Sequence, residues 1–191
     1  MCRRNKDMRR NKWIFIVLTL LSTGVAAEEP PCVLTLSTPS LDYGAVPLAA
    51  LREGFDRSAP SGGLEARILS LQAVCERPQA LALRFNGPAA DAASYRFGPQ
   101  GVVRLILRSA TLDGRDAYFL DEGGNGGERL RSVQLRPGQL VHIHPDSGGS
   151  GRALQLELEV LPALPIGTAH ARERERWQMN GVFELQASAA E

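Results

Sequence analysis

In Leu154-Gln155-Leu156-Glu157-Leu158-Glu159-Val160 every second residue is apolar and every residue between is polar. Side chains on an extended backbone point alternately to opposite faces. This stretch therefore makes a strand with one dry and one wet face, whereas a helix would scatter the same residues around its circumference. The pattern recurs. In Leu81-Ala82-Leu83-Arg84-Phe85 the two leucines and Phe85 share a face with Arg84 opposite. In Val103-Arg104-Leu105-Ile106-Leu107-Arg108 the arginines take one side and Val103, Leu105 and Leu107 the other. Within Glu65–Cys75 the residues Leu69, Leu71, Ala73 and Cys75 share a face. Ile68 breaks the alternation, which predicts a bulge or a change of facing there.

Turn-forming residues separate these runs: Asn86-Gly87-Pro88, Asp113-Gly114, Gly123–Gly127, Pro137-Gly138 and Asp146-Ser147-Gly148-Gly149. No window carries a helical apolar stripe of useful length, and Arg172–Trp177, with its alternating charges, reads as strand extension or solvated turn. Many short half-buried strands with regular turns predict an all-β chain, an antiparallel sandwich or barrel. The length of 191 residues suits one such domain.

Charge is distributed unevenly. Residues 1–12 hold Arg3, Arg4, Lys6, Arg9, Arg10 and Lys12 against Asp7, a net +5, while the whole chain is only +1, which leaves −4 for the rest. A mildly acidic body with arginine as its only strong base argues against a nucleic-acid surface. The basic start runs into the apolar stretch Trp13–Leu21 and then Val25-Ala26-Ala27. A basic segment, a short apolar core and a small-residue exit form a secretory signal peptide, too short for a comfortable membrane span. Cleavage is expected after Ala27, giving a mature domain of residues 28–191 without a further membrane-length segment. Cys2 leaves with the leader. In an oxidising compartment Cys32 and Cys75 then read as one disulfide, the alternative being two buried free thiols.

Catalytic and metal motifs are thin. His142-Ile143-His144 places two imidazoles on one face of a strand, a weak metal candidate that His170 could join, but Val141 and Ile143 would be the inward residues. Ser147 and Ser150 lack a nucleophile-elbow context, the Gly123–Gly127 loop has no following lysine, and Asp121, Glu122 and Asp146 have no calcium-loop spacing. Tyr95, Phe97, Tyr118 and Phe119 could line a sugar site, though strand aromatics ordinarily serve the core. No enzymatic activity and no cofactor are expected.

Three stretches taken in order carry a resemblance. They are Cys32-Val33-Leu34-Thr35-Leu36 followed by Leu41-Asp42-Tyr43-Gly44, then the strand ending in Cys75 with Arg84–Gly87, Val103–Arg108 and Leu112-Asp113-Gly114, then Asn180–Ala187 near the end of the chain. The arrangement resembles the subunits of bacterial pili built by the chaperone–usher pathway, in a divergent fimbrial-like branch akin to spore-coat-U-type domains. The resemblance implies an immunoglobulin-like antiparallel sandwich lacking its last strand, with Cys32 bridged to Cys75. It implies a groove edged by Val182, Phe183, Leu185 and Ala187, with Glu184 and Gln186 outside. It implies a periplasmic chaperone, an outer-membrane usher and other pilus subunits as partners, with passage through the periplasm to the cell surface. Strand addition to an open sheet edge would be the mode of association.

Two features depart from the family pattern. Only Glu28-Glu29-Pro30-Pro31 separates the expected cleavage point from Cys32, and prolines cannot serve as ladder donors. A subunit of this kind is expected to receive a strand rather than give one, which suits a tip position. The family's penultimate tyrosine is replaced in the ending Ala189-Ala190-Glu191. The alternative expectation, from a different class, is a self-contained secreted β-sandwich that binds a metal ion or a carbohydrate.

Overall fold

A computed structural model of the chain describes residues 32–41, 43, 52–53, 61–121, 128–165 and 177–189. Outside the described residues lie the expected leader 1–27, Glu28–Pro31, Asp42, Gly44, the 122–127 loop, His170, 172–176, Ala190 and Glu191. The described part is all-β, with no helix among the described residues long and apolar enough to cross a membrane.

The strands are β1 (Cys32–Leu36), β2 (Arg52–Glu53), β3 (Ser61–Gly63), β4 (Arg67–Asn86), β5 (Tyr95–Phe97), β6 (Gly101–Leu112), β7 (Arg115–Asp121), β8 (Val133–Leu135), β9 (Val141–Pro145), β10 (Gly151–Pro165) and β11 (Val182–Ala189). All pairings are antiparallel. The alternation of the sequence is reproduced in burial. Leu154, Leu156 and Leu158 are buried while Gln155 and Glu157 are exposed. Burying a leucine stabilises by roughly 1.5–3 kcal/mol, so a strand that presents several inward fixes its own facing.

β4 organises the molecule. The sequence reads as two strands, but the backbone runs continuously over 20 residues. Its first half pairs β1 through Leu71–Cys75 and β10 through Arg67–Val74. Its second half pairs β11 through Gln79–Asn86 and β9 through Leu81–Leu83. Glu76, Arg77 and Pro78, between the halves, have no ladder partner in these pairings, so the N–H that proline lacks costs no bond there. One wall is therefore β1–β4–β10–β6, and the other is β11–β4–β9–β7.

The expectation of an immunoglobulin-like sandwich of two separate sheets is corrected here. Hydrogen bonding passes round a closed, barrel-like circuit from β4 through β10, β6, β7 and β9 back to β4. Closure arises because β4 belongs to both walls and because the β6–β7 hairpin joins them at the other side. That hairpin turns on Asp113 and Gly114, at φ 52° and 74°. A two-residue turn with both φ positive matches the twist of the flanking strands, and Asp-Gly is a preferred pair for it. The Asp113 carboxylate accepts from the backbone N–H groups of Arg152 and Ala153, tying the turn to β10.

Ile68 does not mark a bulge. It pairs Glu159 in regular register and simply faces outward, 67% exposed. The irregularities are elsewhere, between Gly151 and Ala153 against β4 and between Glu157 and Leu158 against β6. Cys32 and Cys75 are bonded and directly opposite in the β1–β4 register, a sequence separation of 43. A cross-link closing such a loop is worth about 4 kcal/mol in the chain-entropy account.

Candidate functional site: an open edge between β1 and β11

β1 and β11 stand outside the closed circuit. Each pairs β4 on one side, and among the described residues neither pairs another strand on its other side. Their inward residues differ from those of the circuit. Leu71, Leu83, Leu105 and Leu156 are between 0% and 2% exposed, whereas Cys32, Leu34 and Leu36 of β1 and Phe183, Leu185 and Ala187 of β11 are only half-buried against the same core. The inward face is apolar on both strands but incompletely covered on both. An apolar sheet edge in that condition is a template for another strand.

Between the end of β1 and the start of β11 a cavity of about 220 Å³ opens into the core. Its floor includes Leu69, Phe85, Phe97, Leu105 and Leu158, which are buried. One side is the segment that follows β1, with Leu36, Leu41 and Tyr43; the other is Met179, Gly181 and Phe183. Cavities smaller than this accept benzene-sized guests, so the volume suffices for a large side chain. Thr38, Ser40, Gln178 and Asn180 also line it and are exposed.

Local bonds hold both sides in place. The Ser37 N–H donates to the Ser70 carbonyl at 2.8 Å, and the Ser70 N–H donates to Ser37 Oγ at 3.0 Å, so β4 keeps hold of the chain just past β1. Opposite, the Gly98 N–H donates to the Gln178 carbonyl at 2.9 Å, and Trp177 lies against Phe97 with ring centroids 6.1 Å apart. Phe85 packs edge-on to Tyr95 and at a tilt to Phe183, both with centroids 4.8 Å apart. On the outer face Arg84 Nη2 donates to both carboxylate oxygens of Glu184, at 3.0 and 2.9 Å, and Asn86 Nδ2 donates to Oε2 at 2.8 Å. The Arg84 hydrogen bond, then those from Asn86 and Gln186, hold the Glu184 carboxyl below the usual range.

Of the residues expected to edge a groove, Phe183, Leu185 and Ala187 face inward, while Val182 lies on the outer face and is 67% exposed. The matching row Cys32, Leu34, Leu36 and the flanking Leu41, Tyr43 and Met179 were not anticipated as part of it. The alternation of Cys32-Val33-Leu34-Thr35-Leu36 carried that signal for β1. The segments before β11 and after β1 are irregular, and no periodicity marks them.

His142 and His144 are partly exposed on the outer face of β9, alternating with the buried Val141, Ile143 and Pro145. Their rings lie 6.3 Å apart, and His144 stacks on Tyr118 at 5.6 Å. Burial, then the neighbouring His142, holds the His144 imidazole below its ordinary value. The described residues contain no group of three or more His, Cys, Asp or Glu side chains placed to hold a metal ion. Tyr95, Phe97 and Phe119 are core residues, and Arg129 covers the Tyr118 ring at 4.7 Å, so these aromatics form no exposed platform. Ser147 Oγ accepts from Arg115 Nη1 in the β9–β10 loop.

No family model matches this chain, and no curated protein does. Among solved structures it is similar to the P pilus rod subunit PapA, at 14% identity over 83% of this chain and 100% of that chain, with a TM-score of 0.40.

Proposed function

We propose that this chain is a structural subunit of a surface pilus or fimbria, completed by a β-strand from another polypeptide. In the chaperone–usher manner suggested by the order of its sequence motifs, a periplasmic chaperone would supply that strand first and a neighbouring subunit would replace it. An outer-membrane usher would receive the complex. The chain would be exported, its leader removed after Ala27, and reach the cell surface. The reading assigns it no catalytic step, and the short Glu28–Pro31 segment favours a tip position.

One observation carries the reading: among the described residues, β1 and β11 each keep one unpaired side and a half-buried apolar inner face, with the cavity open between them. An inserted strand would satisfy backbone groups on both edges and cover both inner faces at once. The Cys32–Cys75 bond supports it by fastening β1 to β4 at the place where the resemblance puts that bridge. No observation of comparable weight favours a self-contained metal- or sugar-binding domain.

The test is production of the exported chain with and without a co-expressed periplasmic chaperone of the pilus-assembly class. The chain is expected to accumulate only as a complex with the chaperone and to be degraded or aggregated alone. A stable, monodisperse monomer in full yield without any partner would contradict the proposal.

A further inference from the structure

The chain contains three Asn-Gly pairs, Asn86-Gly87, Asn125-Gly126 and Asn180-Gly181. Asn125 lies outside the described residues. The other two pairs stand at the same end of the β4–β11 ladder, where Val182 is opposite Asn86, yet they are held differently. Asn86 is the last residue of β4, fixed by that pairing, and its Nδ2 donates to Glu184 Oε2 at 2.8 Å. Asn180 is exposed, irregular and ahead of the ladder, and among the described residues its side chain makes no hydrogen bond. The chain before it is held at the Gln178 carbonyl, which accepts from the Gly98 N–H.

The side-chain amide of an asparagine is open to attack by the backbone nitrogen of the next residue. A side chain on that residue hinders the approach, and glycine has none. Ring closure needs a backbone torsion outside the extended range, so an asparagine paired in a ladder must leave it first. At position 181 packing dictates the glycine, because a Cβ there would stand 2.1 Å from Phe85 Cζ. The residue that lets the chain pass Phe85 into β11 is therefore the one that exposes Asn180 to attack.

We infer that Asn180 is a site of spontaneous deamidation from which the fold shields Asn86, and that the change loosens the start of β11. The Gly181 nitrogen, giving up its proton, bonds to Asn180 Cγ and closes a succinimide ring. The Cγ–Nδ2 bond breaks, and that nitrogen leaves as ammonia with the proton. Water then opens the ring, at Cγ to give aspartate or at the backbone carbonyl carbon of residue 180 to give isoaspartate. Water is the only co-reactant, and nothing is oxidised or reduced. Either product puts a carboxylate on the cavity lining where a neutral amide stood. Isoaspartate also runs the main chain through an extra methylene just before Gly181, at its tight approach to Phe85.

The test ages the full chain in mildly alkaline buffer, folded and in denaturant, and maps it by mass after cleavage at arginine. The three Asn-Gly pairs then fall in separate peptides, 85–96, 116–129 and 177–191. In the folded chain the 177–191 peptide is expected to convert about tenfold or more faster than the 85–96 peptide, because Asn86 must first leave its ladder and its bond to Glu184. In denaturant the two rates should draw together. Equal rates in the folded chain, or an Asn180 that converts only in denaturant, would overturn the inference. A rate ratio unaltered by denaturant would do so too, by assigning the difference to local sequence. Amide exchange within Val182–Ala189 should quicken on ageing in the unaltered chain and stay constant in Asn180→Gln aged beside it. An isoaspartate-bearing chain with unaltered exchange would overturn the effect on β11.

Discussion

Phe85 is the residue on which the open edge turns. It is 3% exposed, sits on the cavity floor, and is wedged between Tyr95 and the β11 residue Phe183. Glycine precedes β11 for this reason. A Cβ at Gly181 would stand 2.1 Å from Phe85 Cζ, far inside van der Waals contact, and the ring is pinned by its two aromatic neighbours. Gly181→Ala is therefore expected to destabilise by about 1–3 kcal/mol, the usual cost of overpacking. Thermal or denaturant unfolding reads this directly. An unchanged midpoint would mean that Phe85 is free to move and that β11 is not seated as described. Nothing local in the sequence shows why glycine stands at 181, because Phe85 is almost a hundred residues away and meets it only through the β4–β11 register. Tyr43 is a similar case: the Leu41–Gly44 stretch was legible as a motif, whereas its place in the cavity depends on how the chain leaves β1.

At the scale of elements, β11 is fastened, among the described residues, on one side, by its ladder to β4 and by the Arg84–Glu184–Asn86 group across the outer face. The Glu184 carboxyl is held below its ordinary value near 4.5, so its ionised form is favoured in the folded state. Its contribution is present in full above that value and is lost as pH falls through the lower, folded one. Hydrogen exchange within Val182–Ala189 should thus quicken relative to the core as pH is lowered from about 4.5, after correction for intrinsic rates. Glu184→Gln should flatten that pH dependence. A Glu184→Gln protein with the same acid sensitivity would assign the effect to other carboxylates. β11 itself was readable, since Phe183, Leu185 and Ala187 alternate with Glu184 and Gln186. β4 was not readable as one element. The runs ending at Cys75 and beginning at Leu81 read as separate strands, and only the pairing shows that Pro78, between them, falls where the strand passes from one wall to the other with no ladder bond to lose.

At the scale of the molecule, the facing of the strands, the Asp113-Gly114 turn and the Cys32–Cys75 staple follow from local pattern and cysteine count, whereas the two walls and the closed circuit follow from long-range pairing that alternation does not encode. The same pairing leaves β1 and β11 with inner faces that are only half-buried among the described residues. The central claim is that this edge is completed from outside. Amide hydrogen exchange across Cys32–Leu36 and Val182–Ala189, in the refolded chain alone and with an alternating valine peptide added, tests it most directly. The account predicts that the amides of both strands not bonded to β4 exchange quickly alone and become protected together when the peptide binds. Full protection of both strands in the chain alone, unaltered by peptide, would contradict it.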